Sequence, residues 1–395
     1  MLDPIGPMRP NVGPDVQSRK ANVDEQRRSS LLLSDRLRRA TVVEVIYPAS
    51  RGAIGLRGSH APLSWTETMP PTAQSGDRHV FELALPDDDV IDLKLVRGDE
   101  AWAHGRNYTV HAGDHVHLEP AFDHTTSSLV DSFAIEHEGE RLDARVLLPP
   151  SYAEQENKRY PVIYAQDGQA LWSTSTDPYG VWRLDATIDR LLELAALDEL
   201  IVVGIDTSER RLERLSPVAD PDHGGGGADR HLALMVDQLK PAIDARFRTL
   251  AGREHTAVMG SSMGGLFSLH AAWSRPDVFG KAICLSSSFW WANRHAVRQV
   301  RTAPTPRPII YLDSGAALRA DEKDAGLRDG FHDSRAMHRA LVRAGYVTGQ
   351  DLHRLTFPGE THDAAAWSAR IAIPLQLMFP PPPTAQVPAA AIEAV

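Results

Sequence analysis

The seven residues Met259-Gly260-Ser261-Ser262-Met263-Gly264-Gly265 constrain the fold more than any other stretch of the chain. They follow a compact apolar run, Thr256-Ala257-Val258-Met259, and precede the apolar helix-like stretch Leu266 to Trp273. A serine with glycine two positions before and after it, between strand and helix, predicts a turn too tight for neighbouring side chains. Ser262 is the central residue and Ser261 the variable one before it. A helix opening there aims backbone N–H groups at an oxyanion, so the pattern marks Ser262 as a candidate nucleophile.

The surrounding texture agrees with a strand-turn-helix unit. Val162-Ile163-Tyr164, Ile201-Val202-Val203-Gly204-Ile205, Ile283-Cys284-Leu285 and Ile309-Ile310-Tyr311-Leu312 are further compact apolar runs. Ile188, Leu191, Leu192 and Ala195 show helical spacing between them, as do Leu232, Val236, Leu239 and Ile243, the latter interrupted by Pro241. Buried strands alternating with helices predict a mostly parallel sheet with helices on both faces, led by antiparallel strands from Phe133 to Leu148. Residues 40–125 read differently, as short alternating strands such as Val43-Val45-Tyr47 and Phe81-Leu83-Leu85 with turns at Arg97-Gly98-Asp99 and Ala112-Gly113-Asp114. They predict a small all-β sandwich. The expected division is a loosely held segment 1–39, the β module 40–125, an α/β domain 130–379 and a Pro/Ala tail 380–395.

Composition removes several function classes. Against 42 Lys and Arg stand 52 Asp and Glu, a net charge of −10, which argues against a nucleic-acid partner. One cysteine, Cys284, excludes an intrachain disulfide framework. No apolar run approaches the roughly 18 residues of a membrane span, so no membrane association is expected. The opening, Met1 to Lys20, carries Pro4, Pro7, Pro10 and Pro14 where a signal peptide has a continuous apolar segment, and a cytoplasmic location is the expectation.

A nucleophilic serine needs a base, and in folds with this elbow the histidine follows the last strand. Leu352 to Phe357 reads as that strand and His362 lies in the turn beyond it, whereas His270 falls on the helix behind the elbow. The acid belongs after Ile309–Leu312, where Asp321, Glu322, Asp324 and Asp329 are all candidates; Asp333 reads as a helix N-cap. A second oxyanion donor belongs in the loop Ala165-Gln166-Asp167-Gly168-Gln169, with Gly168 permitting the turn and Asp167 in a structural role. Trp290 and Trp291 follow the strand ending at Leu285 and are candidates to line a substrate pocket, or are core residues. His111, His115 and His117 lack a carboxylate or cysteine framework, so no metal is expected. Gly224 to Gly227 reads as a mobile loop near the site.

Together these residues resemble the putative-esterase family of α/β hydrolases, which includes esterase D-like, enterochelin, feruloyl and acetylxylan esterases and mycolyltransferases. The likeness spans about Phe133 to Phe379 and rests on Tyr160–Tyr164 with Asp167-Gly168-Gln169, Val202–Asp206 with Arg210, Gly260–Leu266, Arg275-Pro276, Phe279-Gly280, Ser286–Trp291 and His362-Asp363 with Trp367. It implies an α/β-hydrolase fold, Ser262 as nucleophile, His362 as base, the N–H groups of Met263 and Gln169 as oxyanion hole, and no cofactor. The family's acid precedes the helix matched by Ser334 to Ala344, which favours Asp329 over Asp321, Glu322 and Asp324. The expected reaction is ester hydrolysis through an acyl-enzyme, with a small-molecule siderophore ester first and a carbohydrate or hydroxycinnamoyl ester second; transfer to an alcohol stays open. The β module, with Leu56-Arg57-Gly58, Trp65, Trp102 and Gly105–Tyr108, resembles starch-binding modules, implying a glycan partner; otherwise Trp65 and Trp102 are core or interface aromatics. A non-catalytic glycan-binding or scaffold protein on the same fold is the alternative from another class.

Overall fold

A computed structural model of the chain describes residues 40–316 and 329–381. The expected segment 1–39 and nearly all of the Pro/Ala tail lie outside the described residues. The described residues fall into two compact units: 40–102 with 107–119, and 103–106 with those from 120 onward.

The first unit is built from two β-sheets. One orders its strands Ala73–Ser75, Arg78–Leu83, Thr41–Ile46, His115–Leu118, the last pair parallel and the others antiparallel. The other joins Ile54–Gly58, Val90–Arg97, Ala101–Trp102 and Tyr108–His111, all antiparallel. Alternation drives the burial: Val43, Val45, Phe81, Leu83, Ile91, Leu93 and Leu95 point inward, as the period of two requires. Trp65 and Trp102 are not core residues. They are 38% and 39% exposed, their rings lie 6.2 Å apart, and the Arg57 guanidinium sits 5.2 Å over Trp102.

The second unit holds an eight-stranded sheet of β1 (Ser128–His137), β2 (Glu140–Leu148), β3 (Val162–Gln166), β4 (Ile201–Ile205), β5 (Thr256–Ser261), β6 (Lys281–Leu285), β7 (Ile309–Ala316) and β8 (Leu352–Pro358). Their spatial order is β1-β2-β4-β3-β5-β6-β7-β8. The hairpin β1–β2 is antiparallel and joins β4 antiparallel; every pair from β4 to β8 is parallel. The continuous apolar runs exist because both faces are covered. Val162, Tyr164, Val258, Cys284 and Leu312 belong to one core with Leu232, Ile243, Phe267 and Met337. Their neighbours Ile163, Ala165, Ala257, Met259 and Tyr311 belong to the other, with Leu184, Ile188, Ile371 and Leu375. The architecture is an α/β-hydrolase-like sheet after N-terminal β-sheets.

The helices that matter below are α1 (Leu184–Glu193), α2 (Ala228–Leu234), α3 (Lys240–Arg246), α4 (Met263–Ser274), α5 (Phe331–Arg343), α6 (Ala364–Arg370) and α7 (Ala372–Met378). Pro241 explains why α2 and α3 are separate. Its ring removes an N–H and crowds the carbonyl one turn back, and the chain widens there into a π-helical turn over Met235–Leu239. Asp333 is not the cap of α5: Gly330, at φ 67°, occupies that position, while Asp333 in the first turn pairs with Arg294 at 2.6 Å. Gly224–Gly225 is not a loop either, since it pairs antiparallel with Ala219–Asp220. Among the described residues no helix is long and apolar enough to cross a membrane.

Candidate active site

The C-terminal ends of β3, β5, β6 and β7 and the turn after β8 converge on Ser262, the edge where parallel sheets bind ligands. Ser262 has φ 55° and ψ −117°, a conformation few L-residues adopt and one that persists only when the surroundings over-determine it. They do. Ser262 N–H donates to the Leu285 carbonyl at 2.9 Å and its own carbonyl accepts from Ser288 N–H at 2.9 Å. A Cβ at Gly260 would lie 2.5 Å from the Gly264 carbonyl carbon, and one at Gly265 would lie 2.3 Å from Ser287 Oγ. Glycine is therefore dictated where α4 folds back over the end of β5.

Ser262 Oγ lies 3.0 Å from His362 Nε2 and 3.1 Å from Ser288 Oγ. His362 Nδ1 lies 2.5 Å from Asp329 Oδ1. The histidine is partly exposed, whereas the Asp329 carboxylate is fully buried. The start of α6 holds His362 in place: Asp363 caps that helix by accepting from Ala366 N–H at 2.9 Å, and Trp367 presents a ring edge-on to the imidazole at 5.1 Å. The hydroxyl of Thr361, then the helical N–H of Ala366, hold the Asp363 carboxyl below its usual range. Asp329 and Gly330 both have positive φ, 37° and 67°, and turn the chain back toward β7 just before α5 begins. Of the other acid candidates, Asp321, Glu322 and Asp324 lie outside the described residues.

The loop after β3 closes the other side. Asp167, at φ 60°, accepts from Thr207 Oγ1 at 2.5 Å and from Arg211 at 2.8 and 2.9 Å, a structural role that anchors the turn. Gly168 packs so closely that a Cβ would stand 2.4 Å from the Gly204 carbonyl. Gln169 and Met263 each lie in the first turn of a helical segment, where N–H groups lack intrahelical acceptors. The arrangement can form a covalent ester on a serine oxygen, shuttle one proton through an imidazole and accept an oxyanion on backbone N–H groups.

A cavity of about 520 Å³ opens on Ser262 and His362, lined among others by Ser288, Trp290, Phe331 and His332. The two tryptophans separate here. Trp290 faces this cavity, while Trp291 is buried and donates its indole N–H to the Val218 carbonyl at 2.7 Å. His223, in the hairpin turn, packs 5.7 Å from Trp290 and is oriented by Asp220 at 2.7 Å. Sequence reasoning missed Ser286, Ser288, Phe331, Asp313 and Arg370. No group of three or more potential metal-ligating side chains occurs among the described residues.

Beneath the loop after β3, His231 Nε2 lies 2.9 Å from Gln166 Oε1, and burial, with Arg214 and Arg210 adding repulsion, pushes its pKa down to about 3. The neutral ring is thus the folded form, while the unfolded chain binds a proton below its ordinary 6.5. Stability is fully present above that value and is lost as pH falls toward 3. Between pH 7.5 and 5.0 the wild type should lose about 2 kcal/mol more than His231→Gln in urea unfolding. Parallel losses in the two proteins would refute the assignment.

The family model described as Putative esterase matches residues 136–375. The uncharacterised protein YbbA of Bacillus subtilis is 24% identical over 222 residues, covering 54% of this chain and 84% of that protein. A siderophore triacetylfusarinine C esterase of Aspergillus fumigatus is 32% identical over 199 residues, 48% of this chain and 65% of that protein. A siderophore enterobactin esterase of Emericella nidulans is 28% identical over 173 residues, 39% of this chain and 57% of that protein. The chain thus spans less than two thirds of either siderophore esterase.

Proposed function

The chain belongs to the Putative esterase family of carboxylic ester hydrolases, and we propose that it cleaves an aryl-bearing siderophore ester through an acyl-enzyme on Ser262. The observation that carries this reading is the hydrogen-bonded line from Asp329 through His362 to Ser262, opening into a cavity walled by Trp290 and Phe331. Ser262 Oγ attacks the ester carbonyl as His362 Nε2 takes its proton, and Asp329 holds the imidazolium that forms. The N–H groups of Met263 and Gln169 take the oxyanion. His362 returns the proton to the leaving alkoxide, and water repeats the sequence to free the acid.

The siderophore assignment draws on the names of two relatives and on the aromatic side chains Trp290 and Phe331 in the cavity lining, which suit an aryl-bearing acyl group. The purified chain should convert a cyclic tris(catecholoyl-serine) lactone to its linear and monomeric products, and Ser262→Ala should not. Turnover of a feruloyl or acetylated sugar ester alone, with the lactone untouched, would replace this substrate by the second reading. That second reading draws on the Trp65–Trp102 pair, aromatic rings partly exposed at the surface of the β module as sugar-stacking rings are.

A further inference from the structure

Asp329 spends only one carboxylate oxygen on His362. Its Oδ2 accepts from Ser286 Oγ at 2.5 Å, Gly315 N–H at 2.6 Å and Arg370 Nη2 at 3.2 Å. Arg370 in turn donates through Nε to Asp313 Oδ2 at 3.1 Å and through Nη2 to Ser286 Oγ. Asp313 Oδ1 accepts from Ser286 N–H at 2.9 Å, and Tyr311 O–H donates to Oδ2 at 3.2 Å. Asp313, Ser286, Asp329 and Arg370 are each no more than 3% exposed. One guanidinium is therefore shared between two buried carboxylates, with a serine hydroxyl wedged among them.

Building on the reading of Asp329 as the acid, we infer that Arg370 and Ser286 are positioning residues that clamp the far oxygen of Asp329 and so aim its near oxygen at His362. A planar fork suits this task because it can meet two carboxylates in fixed directions, which a lysine ammonium does not. The placement of Arg370 adds to the argument. It ends α6, the seven-residue helix that begins two residues after His362, and its guanidinium lies 5.2 Å over the Phe357 ring. A single short helix thus fixes the base at its start and the clamp on the acid at its end. The acid itself rises from two consecutive left-handed residues, and its side chain is tied to Ser286 just beyond β6, to Gly315 N–H in β7 and to Arg370 in α6. Misplacement by about 1 Å costs on the order of a hundredfold in rate.

The test uses the full chain, p-nitrophenyl acetate turnover and the downfield proton resonance of a histidine Nδ1–H bonded to a carboxylate. Ser286→Ala should lower kcat about tenfold or more with KM within about twofold, and should shift or broaden that resonance. Arg370→Met should do more, and Arg370→Lys should restore part of the loss. Should Arg370→Met fail to fold, Ser286→Ala and Arg370→Lys carry the comparison. Folded variants with kcat within twofold of wild type, or with lower kcat and an unmoved resonance, overturn the inference. Asp329→Asn separates the two levels: if it retains activity, the acid assignment itself falls, whereas if it alone is inactive, only the clamp does.

Discussion

Ser262→Ala is expected to lower kcat on any ester the protein turns over by about 10⁴-fold or more, and to abolish labelling by a fluorophosphonate. The size of the effect comes from the neighbourhood. Six serines stand in the two segments, 261–262 and 286–288 with 268 behind them, that could be confused with one another. Ser261 is buried in β5, Ser268 donates to the Gly264 carbonyl inside α4, and Ser286 is committed to Asp329. Ser287 is buried against Gly265, and Ser288 reaches Ser262 itself rather than an imidazole. Ser262 alone among the six has an imidazole nitrogen within hydrogen-bond reach. Alanine tolerates φ 55° no worse than serine, so the backbone bonds to Leu285 and Ser288 stay and the fold should be kept. Peptide mapping of the adduct in wild type, with circular dichroism of the variant, completes the measurement. Labelling of folded Ser262→Ala at the wild-type rate would sink the nucleophile assignment.

Much of this neighbourhood is legible in the amino-acid sequence, and the reasons are local. Steric exclusion around the elbow writes itself into glycines, because a Cβ at Gly260 would meet the Gly264 backbone at 2.5 Å and one at Gly265 would meet Ser287 Oγ at 2.3 Å, while one at Gly264 would crowd the Gln166 side chain at 3.2 Å. Two-sided burial writes itself into unbroken apolar runs, so β3 to β7 are legible as strands. His362 is legible by its order in the chain, just past β8. The support for the acid is not. Asp329 follows a run of residues in the sequence with no apolar periodicity, and only the Asp-Gly pair at 329–330, a turn signal ahead of a helix, distinguishes it locally. Ser286, Asp313 and Arg370 come from the turn after β6, from β7 and from α6, and no spacing within one element announces that they meet. Trp65 and Trp102 show the converse, since large aromatic rings in a β module read as core on hydrophobicity alone yet stand at its surface.

Asp329→Asn is expected to lower kcat by about 10² to 10⁴-fold with little change in KM, for a reason the donors around it impose. Three donors, Ser286 O–H, Gly315 N–H and Arg370 Nη2–H, converge on Oδ2. An asparagine amide must turn its oxygen to that side, because its NH₂ there would face three hydrogen donors in a buried pocket. The NH₂ then faces His362 Nδ1, which must become an acceptor, and the ring proton moves to Nε2. In that tautomer the nitrogen 3.0 Å from Ser262 Oγ already carries a proton and has no free lone pair with which to take the serine's. Asp329→Ala removes the same charge but does not impose that tautomer on His362, so it should be the less damaged of the two on a small activated ester. The order of the two variants, read from kcat on p-nitrophenyl acetate, therefore reports the mechanism of the loss and not just its size. Equal activity of Asp329→Asn and wild type, with loss instead in Asp321→Asn, Glu322→Gln or Asp324→Asn, would move the acid to residues 321–324.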